Sequence, residues 1–372
     1  MSYFDLIHSR GHEGVFFCAD PHTGLRGIIS IHDTTLGPAL GGCRMKPYAS
    51  EVEALTDALR LSRAMTYKSA VAGLNLGGGK SVVILDNPDQ KTPELLKAFA
   101  ERISLLKGNY IGAGDVGSDT QDLKTMRQYS PYIVGLAEED GGLGDSAILT
   151  SLGVFKGIQA AVKEQLNRDD LDGLKVAVQG AGKVGFLLVG HLLEAGCTVY
   201  LSDIDLHAMA NVKEAYPAVR LCKPEELFGL EVDVFSPNAI GGVITETIAH
   251  TLKAKIVAGG ANNPLADESV AAILHKRGIL YAPDFVINAG GVIMVACELE
   301  RKSFRQATDK TLEIYDTTLR VFDYARRRHL LPWDAAQHLA TLRIQEARAD
   351  GLHAGWGQPP NRDELIRQAV CV

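Results

Sequence analysis

"KVAVQGAGKVGFLLVGHLLEAGCTVYLSDID" (residues 175–205) runs from an apolar stretch through a glycine loop into a helical pattern, then through a second apolar stretch to an acid. The loop is Gly180-Ala181-Gly182-Lys183-Val184-Gly185, a full GxGxxG. In this spacing the first glycine permits a tight turn, the second lets backbone approach a pyrophosphate, and the third lets helix and strand pack closely. The helix N-terminus adds free N–H groups and a positive dipole end. Asp203 closes the second strand, where a carboxylate can accept hydrogen bonds from an adenine ribose diol. A glycine turn that only packs a helix is the other reading. The strand before, the helix after and the acid at the next strand end favour dinucleotide binding. Ile204 and Asp205 follow, with no arginine. That arrangement repels a 2′-phosphate, so NAD is expected over NADP.

The same rhythm extends downstream. "VDVFSPN" (232–238), "AKIVAGG" (254–260) and "GILYAPD" (278–284) are further strand candidates with helical segments between most of them. Alternation of this kind implies right-handed crossovers and a parallel, doubly wound sheet. Upstream, "LTSLGVFKGIQAAVKEQL" (149–166) reads as a helix, and from about 289 the chain is mostly helical. The segment before 150 is mixed α/β. "SEVEALTDALRLSRAM" (50–65) opens with Ser50 and Glu53 as a capping box, and Val52, Leu55 and Leu59 recur at helical spacing. "KSVVILD" (80–86) is a strand. "TPELLKAFAERISLLKG" (92–108) is a helix with Thr92 as cap and Pro93 in its first turn. "EEDGGLGDSA" (138–147) and "GLHAGWGQPPNRDE" (351–364) read as irregular. The expected fold is α/β in two domains, with a substrate-binding domain over 1–145 and a Rossmann-type NAD domain over 146–325. Carboxy-terminal helices over 326–372 would pack on the first domain or at an oligomer interface.

Bulk properties agree with this reading. A chain of 372 residues suggests two domains. The net charge of −7, with no long basic run, argues against nucleic acid or an anionic membrane as partner. No secretory signal pattern or bilayer-length apolar stretch stands out. The six cysteines are scattered without CxxC, so neither a disulfide framework nor a zinc site is indicated, and a cytoplasmic location is expected.

A second glycine cluster, "LNLGGGKSVVIL" (74–85), places Lys80 after three glycines. A phosphate-cradling GxxxxGK[ST] would need glycine at 74, where Leu74 stands, and would open a helix rather than a strand. The alternative is a base. Lys68 lies twelve residues earlier, and a tight apolar site holding two lysines would lower the pKa of at least one by desolvation and like-charge repulsion. The other could hold a carboxylate. Asp115, in the glycine-flanked "GAGD", could relay protons. Each residue alone also fits a solvated lysine or a turn-capping acid; their union with a dinucleotide fold favours chemistry.

Taken together, "DTTLGPALGGCRM" (33–45), "RLSRAMTYKSAVAGLNLGGGKSVVI" (60–84), "GAGDVGSD" (112–119), "TSLGVFKGI" (150–158), "VAVQGAGKVG" (176–185), "VAGGANNPL" (257–265) and "YAPDFVINAGGVI" (281–293) carry a resemblance. The chain resembles the amino-acid dehydrogenases of the glutamate, leucine, phenylalanine and valine type, and its first two motifs look most like the leucine enzymes. The resemblance implies that Lys68 binds the substrate α-carboxylate, Lys80 activates water, and Asp115 shuttles a proton at the substrate nitrogen. It implies that Asn262 helps hold substrate or cofactor and that Asn288 meets the nicotinamide, with Asn238 and Ala239 also at the cofactor. Leu40, Gly41, Met65, Ala113, Val292 and Val295 would shape the substrate pocket. No metal is implied. The implied reaction is reversible, NAD-dependent oxidative deamination of an L-amino acid, branched aliphatic by preference, to a 2-oxo acid and ammonium. An aromatic amino-acid dehydrogenase and a non-catalytic NAD-binding regulator are the rivals. A homo-oligomer, dimer or octamer, is implied. The chain departs from the family at Met294, where asparagine is usual, and at Asn238, where cysteine is common.

Overall fold

The computed structural model describes residues 3–351. The stretch read as loop-like over 351–364 lies outside the described residues apart from Gly351, as does Cys371. Two compact units emerge. Among the described residues, the first holds those up to Asp145, Met294–Gln306 and residues 340–351; the second holds Ser146–Ile293 and Ala307–Leu339.

In the first unit the order is α1 (Tyr3–Ser9), β1 (Gly14–Asp20), β2 (Leu25–Asp33), β3 (Ala39–Lys46), α2 (Glu51–Val71), β4 (Gly77–Ile84), α3 (Pro93–Leu105), β5 (Tyr110–Gly114) and α4 (Thr120–Arg127). The strands form one sheet in the order β1-β2-β4-β3-β5. β1, β2 and β4 pair antiparallel, while β3 runs parallel to both β4 and β5. Side chains alternate along a strand, so each strand serves two cores. Ile28, Val82 and Ile84 pack with Leu55, Ala58 and Leu59 of α2. Ile29, Val83, Phe99, Ile103 and Tyr110 form the core on the opposite face. A sheet covered on both faces explains why its strands read as continuous apolar runs rather than as alternation.

Two details of the first unit differ from the sequence reading. Val52 is half exposed, because the buried stripe of α2 runs through Ala54, Leu55, Ala58 and Leu59 instead. β4 begins at Gly77, three residues before Lys80, so the glycines lie inside the strand. Packing explains them. A Cβ on Gly78 would lie 2.1 Å from Thr66 Oγ1 and 2.2 Å from Thr66 N of α2. One on Gly79 would lie 2.7 Å from the Tyr110 ring. Glycine here permits close approach of backbone to neighbours rather than a cradle for phosphate.

The second unit runs α5 (Ala147–Leu166), β6 (Lys175–Gln179), α6 (Lys183–Glu194), β7 (Thr198–Ser202), α7 (Leu206–Ala215), β8 (Arg220–Leu221), α8 (Pro224–Leu227), β9 (Val234–Pro237), α9 (Glu246–Thr251), β10 (Ile256–Val257), α10 (Ser269–Lys276), β11 (Leu280–Tyr281) and α11 (Asp284–Ile287). Its strands pair parallel in the order β8-β7-β6-β9-β10-β11. This is the doubly wound dinucleotide-binding order, with its reversal between β6 and β9. The helices α12 (Gly290–Leu299), α13 (Phe304–Leu312), α14 (Ile314–Arg328) and α15 (Pro332–Ala349) complete the described chain.

The domain scheme expected from sequence differs from the observed division in two places. Residues 294–306 belong to the first unit, where Glu298 accepts hydrogen bonds from the Gly135 and Leu136 N–H groups. Residues 326–339 stay with the second, where Arg326 pairs with Glu164 of α5. Residues 340–351 pack in the first unit, with Arg343 donating to the Ala70 and Leu74 carbonyls at and just beyond the end of α2. No described helix is long and apolar enough to cross a membrane.

Candidate active site

In the first unit the period-two rule puts Gly78, Lys80, Val82 and Ile84 on the sheet face that meets α2. Pairing with β3 brings Leu40 opposite Gly78, and β3 pairing with β5 brings Gly42 opposite Ala113. Lys80 is buried, 6% exposed, and its Nζ pairs with Asp115 Oδ2. The loop after β5 holds Asp115 through Ser118, whose Oγ accepts from the Asp115 N–H at 2.9 Å and donates to Cys43 O at 3.0 Å. Gly42 makes this pairing possible: a Cβ there would lie 2.7 Å from Asp115 Cβ and 3.1 Å from Lys80 Nζ. Gly41 is equally constrained, 1.8 Å being the separation such a carbon would have from Gly79 O.

Burial pushes the Lys80 ammonium below the usual lysine range, and this outweighs the pull of Asp115 in the other direction. Burial pushes the Asp115 carboxyl up, but the Lys80 and Arg44 cations outweigh it and hold Asp115 below the usual carboxylate range. The pair is thus a lysine eased toward its neutral, basic form beside an ionised carboxylate. The Arg44 cation lowers Lys80 further, a neighbour that the two-lysine reading did not count. Arg44 lies one residue beyond Cys43 on β3 and points to the same face as Gly42. Sequence reasoning passed over it and Asp57, because the contact needs β3 and β5 in register across 71 residues. Its place in the "GGCRM" motif was the available signal.

Lys68 lies in the last turn of α2, half-buried, and Met65 lies in the same helix, half-buried. Leu40 is buried at 1% exposure, and Ala113 is buried at the end of β5. On α12, Val292 is buried and belongs to the second unit, while Val295 belongs to the first and lies beside Gly135.

In the second unit the glycine loop has the three properties that a dinucleotide requires. Gly180 has φ +103°, and a Cβ there would lie 2.9 Å from Ala239 N. Gly182 faces open space and opens α6 with no capping side chain. Gly185 packs on Gly180, where a Cβ would lie 1.9 Å from Gly180 O. Lys183 and Ile204 are exposed and Val184 is half-buried. Asp203 Oδ2 accepts from the Ala181 N–H at 2.6 Å and Oδ1 from the Asp205 N–H at 2.9 Å. The carboxylate therefore ties the loop to the end of β7 while keeping lone pairs for ribose hydroxyls. Asn238 ends β9. Its Oδ1 accepts from Gly260 N–H at 2.8 Å and its Nδ2 donates to Ser236 O at 2.9 Å, a bridge between strand ends that cysteine would make poorly. Asn288, buried, donates to Asn262 Oδ1 at 2.8 Å, so these two residues meet, and Asn262 is exposed. Met294 is buried at 1% exposure on α12. The loop, the uncapped helix and the strand-end acid fit NAD. No described cluster of His, Cys, Asp and Glu could hold a metal ion.

Comparison with known proteins agrees with this geometry. Residues 12–131 match the family "Glu/Leu/Phe/Val dehydrogenase, dimerisation domain", and residues 141–350 match "Glutamate/Leucine/Phenylalanine/Valine dehydrogenase". The chain is 44% identical to leucine dehydrogenase of Geobacillus stearothermophilus, over 94% of this chain and 95% of that one. It is also 44% identical to phenylalanine dehydrogenase of Caldalkalibacillus thermarum, over 92% and 93% of the two chains. The crystal structure of L-tryptophan dehydrogenase from Nostoc punctiforme is similar with a TM-score of 0.82 and 42% identity, covering 93% of this chain and 99% of that one.

Proposed function

The chain belongs to the Glu/Leu/Phe/Val dehydrogenase family and is an NAD-dependent amino-acid dehydrogenase; from that premise we propose that it deaminates branched aliphatic L-amino acids and that Lys80, Asp115 and Lys68 do the chemistry. The buried Lys80–Asp115 pair carries this reading. A lysine pushed toward its neutral form at a protein interior is a competent general base near physiological pH. An adjoining carboxylate can accept a proton from nitrogen.

In the proposed sequence the Lys68 ammonium holds the α-carboxylate. Asp115 takes a proton from the substrate amine. Gly180–Gly185, Asp203, Asn238, Ala239 and Asn288 would hold NAD, which would supply the redox chemistry as the acceptor of the Cα hydride. Neutral Lys80 removes a proton from water as the water oxygen attacks the imino carbon. Asp115 returns its proton to the nitrogen, the C–N bond breaks with its electron pair going to ammonia, and the carbinolamine hydroxyl gives its proton back to the Asp115 carboxylate as the 2-oxo acid forms. The ammonia takes a proton from water to become ammonium, and Lys80 and Asp115 return their protons to solvent.

Leu40, Met65, Ala113 and Val295 are apolar, which favours an aliphatic side chain over a charged one. The aromatic reading keeps support from phenylalanine and tryptophan dehydrogenases that match as well as the leucine enzyme does. We also infer self-association, supported by the match of residues 12–131 to a dimerisation domain. The two lysines separate in steady-state kinetics. Lys80→Ala should cut kcat by about 10²–10⁴-fold, the range for a general base. Lys68→Ala should chiefly raise KM and lower kcat/KM. Near wild-type kcat in Lys80→Ala would overturn the assignment.

A further inference from the structure

Asp115 does not face Lys80 alone. Its Oδ2, the atom paired with Lys80, also accepts a hydrogen bond from Arg44 Nε at 2.9 Å. Arg44 is itself fixed at its other end, where a guanidinium nitrogen lies 2.9 Å from Asp57 Oδ2. Asp57 in turn accepts from Tyr48 O–H at 2.8 Å and from Arg60 at 3.0 Å. Every member of the Arg44–Asp57 pair is mostly buried, with side-chain exposures of 18% and 14%. The chain of contacts therefore runs from α2 through β3 to the proposed proton-transfer pair. We infer that Arg44 is a positioning residue, which holds the Asp115 carboxylate in place and keeps a fixed positive charge beside Lys80.

The inference rests on the assignment of Lys80 as base. It follows from what a planar guanidinium can do that an ammonium cannot. Two donors in a fixed fork reach two carboxylates at once, so the angle of Asp115 is set by Asp57 through Arg44. The same residue shares Asp115 with Lys80, and so weakens the hold of that carboxylate on the lysine proton. Other titratable groups lie near Lys80 on the neighbouring elements. Burial raises the Cys43 thiol of β3 and the Tyr110 phenol of β5, so both are neutral near pH 7. α2 carries Asp57 and Arg60, which offset one another, and Lys68 in its last turn. Arg44 lowers the proton affinity of Lys80 and Asp115 raises it. Neutralising Arg44 removes a repelling charge and leaves Asp115 to Lys80 alone. Both changes favour protonated Lys80, so the base form should appear only at higher pH.

The test is the pH profile of kcat for amino-acid deamination in wild type, Arg44→Gln and Arg44→Lys, each with intact NAD binding and a measured melting temperature. Arg44→Gln should move the rising limb about one pH unit or more to the alkaline side, the scale on which a neighbouring charge acts. Arg44→Lys restores the charge without the fork. Its limb should stay near wild type while its plateau kcat falls. A profile for Arg44→Gln that is lower but unshifted would overturn the inference, since a merely structural role lowers the plateau alone. Equal shifts in both variants would also overturn it, because charge would then not be the cause. If Arg44→Gln does not fold, Arg44→Lys still decides: an unchanged plateau contradicts the positioning role. Lys80→Ala, run alongside, tells the two claims apart. Its retention of activity would sink the base assignment, whereas its loss with an unshifted Arg44→Gln limb would sink the Arg44 inference only.

Discussion

At the scale of single residues, the acid at the end of β7 has two jobs. Asp203 holds the Ala181 and Asp205 N–H groups, and we propose that its charge also lies where a 2′-phosphate would sit. Asp203→Ala should narrow the ratio of NAD to NADP in kcat/KM and also raise KM for NAD, since the loop loses an anchor. Equal use of both cofactors by the wild-type protein would show that the ribose contact is misplaced. In the proposed pocket, a preference for aliphatic side chains rests most on Leu40. Burying an unpaired carboxylate costs several kcal/mol, whereas each missing methylene costs about 1–3 kcal/mol. Glutamate should therefore be rejected sharply, and leucine, valine and isoleucine separated only loosely. Leu40→Gly should gain activity on phenylalanine relative to leucine, measured as a ratio of kcat/KM values. The glycines around Lys80 and Asp115 single both out in the sequence, and the fold brings their side chains together. Arg44 and Asp57 were not: Arg44 stands in the "GGCRM" motif, but its partners are reached only after β3, β5 and α2 have packed.

Elements that pack on α2 carry a pH dependence of their own. His12, just before β1, and His32, on β2, stack edge-to-face at 4.8 Å between ring centroids. His12 Nε2 lies 2.9 Å from Leu59 O and 3.0 Å from Ser62 Oγ of α2, and His32 Nδ1 lies 2.8 Å from Thr66 Oγ1. Burial lowers each imidazole to about 4, with His12 adding repulsion at His32. Their folded values lie below the ordinary value of 6.5. Stability from keeping them neutral is whole above pH 6.5 and is lost as pH falls toward 4. A His12→Gln, His32→Gln double variant should show a flatter fall in melting temperature across that window than wild type. An identical slope would mean that the pair does not contribute. α2 itself was read correctly as a capped helix: Ser50 Oγ accepts from Glu53 N–H at 3.1 Å. The helix runs on to Val71, beyond the stretch read from sequence, because its last turn is held by Arg343 of α15, which no local pattern announces.

For the whole molecule, the doubly wound sheet was the most legible part. Five of its six strands stand where the apolar runs and turn residues placed them. The sixth, β8, is two exposed residues and leaves no such signature. The first unit was less legible. Its strands β2, β3 and β5 are largely buried on both faces or broken by glycines, and β1 is a mostly half-exposed edge strand, so period-two alternation is absent or ambiguous. The final helices were visible, but not their division between units, since that depends on partners such as Gly135 and Glu164 far away in sequence. The assignment of function joins the sheet to the Lys80–Asp115 pair, and it meets its most direct test in initial rates of NADH formation at alkaline pH. The panel is L-leucine, L-valine, L-isoleucine, L-phenylalanine, L-tryptophan and L-glutamate, each with NAD. The expected result is turnover of the three branched aliphatic substrates at comparable kcat/KM, weaker turnover of the aromatic ones and little of glutamate. Preference for phenylalanine or tryptophan would contradict the pocket reading, and absence of NADH formation with every amino acid would contradict the proposed chemistry.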